Sequence, residues 1–149
     1  MFITMMICNR VTLTGENFMT WQIWEDAGLD YDSTLGFADH VGFRCGTCRE
    51  FPVFNLNTRE PLRLRERPLI AMDTTLLAPQ YMALRPEQAI EWIERLSSTC
   101  RCFGGTFSLL WHNSNLIESW QRELYLKVLE VAVRRDYKPE YEINGVKSK

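Results

Sequence analysis

Apolar and polar positions along this chain recur in two patterns that predict an ordered series of strands and helices. Short apolar runs bounded by turn residues are typical of buried strands, and apolar residues three or four positions apart are typical of helices. The patterns predict strands at 1–8, 31–37, 69–72 and 106–111, a hairpin formed by 51–57 and 61–65, and helices over about 14–27, from Pro86 onward and after Asn115.

Each predicted helix has an apolar face and a recognisable beginning. Thr14 is expected to cap the first helix, Pro86 occupies the favoured first position of the second, and Asn115 and Glu118 have the spacing of a capping box before the third. The residues expected to face the core are Phe18, Trp21 and Trp24 in the first helix, Ala89, Ile93, Leu96 and Cys100 in the second, and Ile117, Trp120, Leu124, Val128 and Val131 in the third.

The order of these elements favours an α/β fold with mostly parallel strands and the hairpin as an excursion. The length of 149 residues indicates a single domain over 1–149, with a polar tail at 137–149 that we expect to be loose. A complete eight-stranded α/β barrel needs roughly 250 residues. The pattern therefore predicts either a small open sheet or part of a barrel.

Composition and charge exclude several classes of function. A net charge of −2 provides no electrostatic basis for binding nucleic acid or an anionic membrane surface. The apolar run at 1–8 is too short to span a bilayer and lacks the basic region of a signal peptide. Five cysteines in a chain with an ample core indicate reduced thiols, so we expect a cytoplasmic protein.

Three polar residues follow predicted strands and are candidates for chemistry. Arg44 comes some residues after the second strand, Asp73 directly follows the strand at 69–72, and His112 directly follows the strand at 106–111. If these strands are parallel, all three residues lie at the same edge, where they would suit acid–base catalysis on a polar substrate. The alternative is that each only caps a loop or helix. Trp111, beside His112, is a candidate substrate-binding residue in a cleft.

The cysteines allow another interpretation. Cys45 and Cys48 have C-x-x-C spacing, and Cys100 and Cys102 add two thiols, so four thiolates could hold a structural zinc ion. A redox role is disfavoured because the C-x-x-C motif precedes an extended segment, whereas such sites open a helix. Small buried side chains remain the default role for these cysteines.

Four stretches in order, Tyr31–Asp39, Gly42–Cys48, Arg67–Asp73 and Leu109–Ser114, resemble bacterial polysaccharide deacetylase-like proteins. These carry the NodB-type domain of carbohydrate esterase family 4. The resemblance covers about 9–129 and corresponds to the C-terminal half of the family domain. It implies a partial (β/α) barrel and, for a complete family member, hydrolysis of N-acetyl groups on sugars with a divalent, zinc-like metal.

The resemblance also implies roles for the candidate residues. His112 matches the histidine of the family's L-x-x-H motif, which protonates the leaving amine. Arg44 matches an arginine that positions the catalytic base, although the family's nearby proline is absent, and Asp73 fits a later motif without its usual tryptophan. Trp111 stays the candidate for binding substrate.

The family's metal-binding motifs, T-F-D-D-G and H-x-x-x-H, do not occur in this sequence, whose only histidines are His40 and His112. We therefore expect no metal or other cofactor bound by this chain, and a truncated or degenerate deacetylase that is inactive alone. The expected partner is a carbohydrate with N-acetyl groups, and open sheet edges would favour self-association. The alternatives are a non-catalytic carbohydrate-binding or interaction domain and, less favoured, a four-cysteine zinc module.

Overall fold

The computed structural model describes residues 3–8 and 17–134, with side chains over 19–134. Its strands are β1 (Ile3–Cys8), β2 (Tyr31–Asp32), β3 (Phe51–Asn55), β4 (Glu60–Glu66), β5 (Ala71–Met72) and β6 (Phe107–His112). Its helices are α1 (Asn17–Asp26), α2 (Asp73–Leu77), α3 (Pro86–Cys102) and α4 (Ser119–Val133), with a 3₁₀ helix at Asn113–Leu116. The predicted α/β class is confirmed. The expected cap Thr14, the side chain of Phe18 and the tail at 137–149 lie outside these residues.

The first sheet has the order β1-β6-β5, and all of its strands are parallel. Cys8, the last residue of β1, is the register partner of His112, and Met72, the last residue of β5, is the partner of Leu110. The carboxyl ends of all three strands therefore lie at one edge of the sheet. This edge is where ligands bind in parallel α/β architectures.

The second sheet has the order β2-β4-β3 and contains the predicted hairpin. β3 and β4 are antiparallel, and β2 runs parallel to β4 on its other side. The strand expected at 31–37 is only two residues long. The ladder ends where the Asp32 carbonyl accepts the Arg67 N–H at 2.8 Å, and beyond it the Leu35 N–H donates to the Glu66 side chain at 3.2 Å, not to the main chain of β4.

The core lies between the first sheet and the helices α3 and α4. The predicted inner face of α3 is confirmed, since Ala89, Ile93, Leu96 and Cys100 are all buried. The α3 helix begins with Pro86 at its first turn, as expected. No helix among the described residues is both long enough and apolar enough to cross a membrane.

Three of the five residues predicted to face the core from the last helix are buried. Leu124, Val128 and Val131 are buried, whereas Ile117 is 70 % exposed and Trp120 is 51 % exposed. Ile117 is exposed because it lies in the short link between the 3₁₀ helix and α4, and Trp120 lies in the first turn of α4.

The cap of α4 also differs from the prediction. The Glu118 main-chain N–H donates to the Gln121 side-chain oxygen at 3.0 Å, so Glu118, and not Asn115, is the capping residue. The Asn115 side chain does not cap α4 and is available to bond another residue.

Candidate acid–base site

The carboxyl edge of the first sheet brings two of the predicted site residues into direct contact. His112 ends β6, and Asp73 begins α2 immediately after β5. Since β5 and β6 are parallel neighbours, both end at the same edge of the sheet. The sequence-based expectation that Asp73 and His112 share one edge is therefore met in the geometry.

Asp73 and His112 are joined by two hydrogen bonds. Asp73 Oδ1 lies 2.6 Å from Nδ1 of the imidazole, and Oδ2 accepts the His112 main-chain N–H at 2.7 Å. The Asp73 side chain is fully buried, while the imidazole is 19 % exposed. A buried carboxylate thus fixes the position of a histidine that solvent can still reach.

Two further side chains surround this pair. The Asn115 amide donates to Asp73 Oδ2 at 2.8 Å, and the Thr74 main-chain N–H donates to Oδ1 at 2.7 Å. The Thr74 hydroxyl also lies 3.1 Å from His112 Nδ1. Sequence reasoning assigned Asn115 to a helix cap and missed this role. The available signal was its place in the polar cluster directly after β6.

The donors around Asp73 determine which nitrogen of His112 carries the proton. Five hydrogen bonds converge on the Asp73 oxygens, the longest from the Thr74 hydroxyl at 3.4 Å, and an ionised carboxylate can only accept. We therefore assign the proton of the neutral imidazole to Nδ1, which leaves Nε2 as the nitrogen that can exchange a proton with a substrate. This is the arrangement of carboxylate and imidazole found in acid–base catalysis.

Arg44 occupies a different place from the one predicted. Its side chain is exposed, and Nη1 donates to the carbonyl oxygen of Gly36 at 2.8 Å. The described hydrogen bonds of Asp73 and His112 do not include Arg44. The structure therefore does not bring it into the pair, because it lies in the irregular segment after β2 and not at a strand end.

Trp111 is a core residue. Its side chain is 1 % exposed, its indole Nε1 donates to the Asn115 carbonyl at 3.1 Å, and its ring packs against Tyr125 with centroids 5.2 Å apart. The expectation that Trp111 lines a cleft and binds substrate is corrected by this burial. Successive residues of a strand point to opposite faces, so His112 reaches the surface where Trp111 cannot.

Among the described residues, the cysteines are not gathered as the alternative zinc site requires. Cys48 and Cys100 are buried, Cys102 is exposed, and within 19–134 no three His, Cys, Asp or Glu side chains converge as a metal site. Burial raises the pKa of Cys45, and burial beside Cys48 raises the pKa of Cys100. Because metal ligation needs thiolates, these shifts favour inert thiols.

The same residues do not fit the zinc ion that the family resemblance implies. A catalytic zinc usually needs three protein ligands, and that number is not found in the described part of the chain. Asp73 in addition has its lone pairs occupied by donors from Thr74, His112 and Asn115. We therefore derive no chemistry through a metal from these residues.

A cleft of about 280 Å³ lies elsewhere, lined by Phe43, Gly46, Thr47, Cys48, Arg49, Thr99 and Phe103. It excludes the Asp73–His112 pair, and its lining is largely apolar. Arg49, its one charged side chain, already donates twice to the Phe103 carbonyl. We therefore centre the candidate site on Asp73 and His112.

Neither a protein-family model, nor a curated protein, nor a solved structure matches this chain.

Proposed function

We propose that this chain carries the proton-transfer half of an amide-hydrolysing site, and that its substrate class is a carbohydrate bearing N-acetyl groups. The observation that carries the proposal is the 2.6 Å contact between Nδ1 of His112, whose side chain is 19 % exposed, and the buried Asp73 carboxylate. The resemblance of four stretches to polysaccharide deacetylase-like proteins supplies the choice of substrate.

The pair accounts for one step of the hydrolysis. When the C–N bond of the acetamide breaks, the departing nitrogen needs a proton to leave as an amine. Protonated His112 donates it from Nε2, and Asp73 stabilises the positive imidazolium through Nδ1–H. The proton returns to Nε2 from water once the amine has left. General acid catalysis of this kind is worth about 10²- to 10⁴-fold in rate.

The part of a deacetylase that activates water would come from outside these 149 residues. This sequence holds neither T-F-D-D-G nor H-x-x-x-H. Reading the coding region before Met1 for these motifs in frame tests the point directly. Their presence would support the deacetylase, and unrelated sequence there would favour a domain that has kept the fold without the activity.

Binding can be tested with the chain alone. Chitotetraose should perturb the imidazole resonances of His112 in NMR spectra, while its fully deacetylated counterpart should have a weaker effect. His112→Ala removes the reporter, so the Asn115 side-chain amide is followed as the second reporter. His40→Ala is the matched control, because His40 is an exposed histidine whose partner is the adjacent Asp39. Equal perturbation by both sugars, or none by either, would contradict the proposed substrate class.

A specific observation favours the second candidate, a non-catalytic carbohydrate-binding or interaction domain. No group of three metal ligands is found within 19–134. In that case chitotetraose would bind with the same affinity to the chain and to its His112→Ala variant. The deacetylase proposal predicts instead that a form completed with the missing motifs loses turnover on His112→Ala with little change in KM, because the proton is needed mainly in the transition state.

A further inference from the structure

A pair of buried carboxyl groups lies in the second sheet, away from the acid–base site. Asp32 of β2 and Glu66 of β4 are register partners on parallel strands. The two residues are 1 % and 0 % exposed, and register partners on neighbouring strands have their side chains side by side. Buried acidic groups need partners because the charged form loses its hydration.

Asp32 has its partners in place. Its Oδ1 accepts the main-chain N–H of Ser33 at 2.7 Å, and its Oδ2 accepts the Thr34 hydroxyl at 2.6 Å and the indole N–H of Trp21 at 3.1 Å. Three donors from two elements therefore stabilise a negative charge on this residue.

Only one of the two carboxylate oxygens of Glu66 has a hydrogen-bond partner. Its Oε1 accepts the Leu35 main-chain N–H at 3.2 Å, but Oε2 is buried and has no partner among the described residues. Two ionised carboxylates facing each other cannot form a hydrogen bond, because both only accept. A proton on Glu66 would turn Oε2 into a donor toward Asp32 and remove the unsatisfied atom.

We propose that Asp32 and Glu66 share one proton and form a pH-sensitive switch that holds the segment 33–38 in place. This segment reaches the acid–base site through one contact, because its Ala38 carbonyl accepts the Thr75 hydroxyl at 3.1 Å. Thr75 belongs to α2, the helix that begins at Asp73.

The other charged groups around Glu66 do not neutralise it. Arg65 and Arg67, its two neighbours in the sequence, both bind Glu50. Glu25 of α1 accepts the Leu64 main-chain N–H on the same strand and adds only negative charge. Cys45, from the segment before β3, is a weak acid that Glu66 makes harder to ionise.

The direction of the pH effect follows from the burial of Glu66. Burial, with Asp32 as the second cause, raises the pKa of Glu66 from 4.5 to about 7. The folded chain therefore holds this proton more tightly than the unfolded chain does. The proton on Glu66 therefore contributes its full stabilisation of the folded chain below pH 4.5, and this contribution is lost as the pH rises through 7.

Urea unfolding of the full chain between pH 5 and pH 8 tests the proposal. Ionisation of Glu66 over this range should raise the unfolding equilibrium constant of the wild type on the order of 50-fold. Glu66→Gln, which mimics the protonated side chain, should remove most of that rise. Glu60→Gln is the control, because Glu60 is an exposed carboxylate at the start of the same strand and should keep the wild-type dependence.

A second measurement keeps the proposal falsifiable if Glu66→Gln fails to fold. Carboxyl ¹³C NMR of the wild type should show Glu66 titrating near pH 7. Hydrogen exchange of the Leu35 amide should become faster above that pH, by more than base catalysis alone produces. Titration of Glu66 below pH 5, or an unchanged pH dependence in Glu66→Gln, would overturn the proposal.

Discussion

Asp73 binds His112 with both of its carboxylate oxygens, one at the imidazole Nδ1 and one at the main-chain N–H, at 2.6 and 2.7 Å. The same residue thus fixes the ring and the end of the strand that carries it. A histidine held at both points has little freedom to rotate, and such preorganisation is what proton transfer to a bound substrate requires.

Asp73→Asn should destabilise the fold and shift the imidazole proton. An amide cannot accept from all the donors of Thr74, His112 and Asn115, so we expect a loss of about 2–4 kcal/mol in the free energy of unfolding. Nitrogen NMR should show the neutral imidazole of His112 protonated at Nε2 instead of Nδ1.

The matched control for Asp73→Asn is Asp39→Asn. Asp39 also contacts a histidine, His40, at 2.8 Å, but both side chains are exposed to solvent. This substitution should leave the unfolding midpoint unchanged, because solvent replaces the lost interaction. Equal effects of the two substitutions would show that burial of Asp73 contributes nothing.

His112→Ala should have a moderate effect on stability. The substitution removes the imidazole donor from a buried carboxylate and leaves Thr74 and Asn115 to satisfy Asp73. We expect a loss of about 1–2 kcal/mol, measured by urea unfolding. A loss above about 4 kcal/mol would identify His112 as chiefly structural.

Gly105→Ala should be strongly destabilising because there is no space for a Cβ atom. An added Cβ would collide with the Cys48 thiol and lie 2.7 Å from the Cys48 carbonyl oxygen. We expect a cost of about 3 kcal/mol. The double variant with Cys48→Ala should recover only part of it, since the carbonyl remains.

Gly28→Ala is the comparison for the Gly105 substitution. Nothing lies within 4 Å of a Cβ at Gly28, but its φ of +78° disfavours other residues. Its cost should be about 1 kcal/mol, from backbone conformation alone. A cost at Gly105 no larger than this would contradict the close approach of Cys48.

Two residues on one face of α4, Trp120 and Leu124, should differ sharply in their tolerance of alanine. Leu124 is buried in the core, whereas Trp120 is half exposed in the first turn. Leu124→Ala should cost about 2–4 kcal/mol, and Trp120→Ala should change the free energy of unfolding by about 0.5 kcal/mol or less. A larger cost for Trp120→Ala than for Leu124→Ala would contradict the exposure of Trp120 and the burial of Leu124.

Self-association through the sheet edges stays a prediction. Within the described residues, β1 pairs with β6 alone, so its other edge has no strand beside it. An edge strand of six residues can pair with another chain. Sedimentation equilibrium should show an apparent mass that rises with concentration. A monomer over the whole range, with a cooperative melt independent of concentration, would contradict this expectation.

Local patterns were sufficient for much of the fold. The apolar spacing of Ala89, Ile93, Leu96 and Cys100 predicted the buried face of α3, and alternation around a turn predicted the hairpin of β3 and β4. These features depend on residues that are close in the chain. The sequence also predicted that Asp73 and His112 share one edge, because parallel order alone places the ends of neighbouring strands together.

Other features of the site depended on the tertiary structure. Whether Trp111 lines a cleft or fills the core depends on which face of β6 the helices cover, and the position of Arg44 depends on an irregular segment without periodicity. The pairing of Asp32 with Glu66 required the register of β2 on β4, which joins residues distant in the chain. Sequence determines such a contact only through the packing of the whole chain, because burial and register, and not local spacing, decide which polar groups face each other.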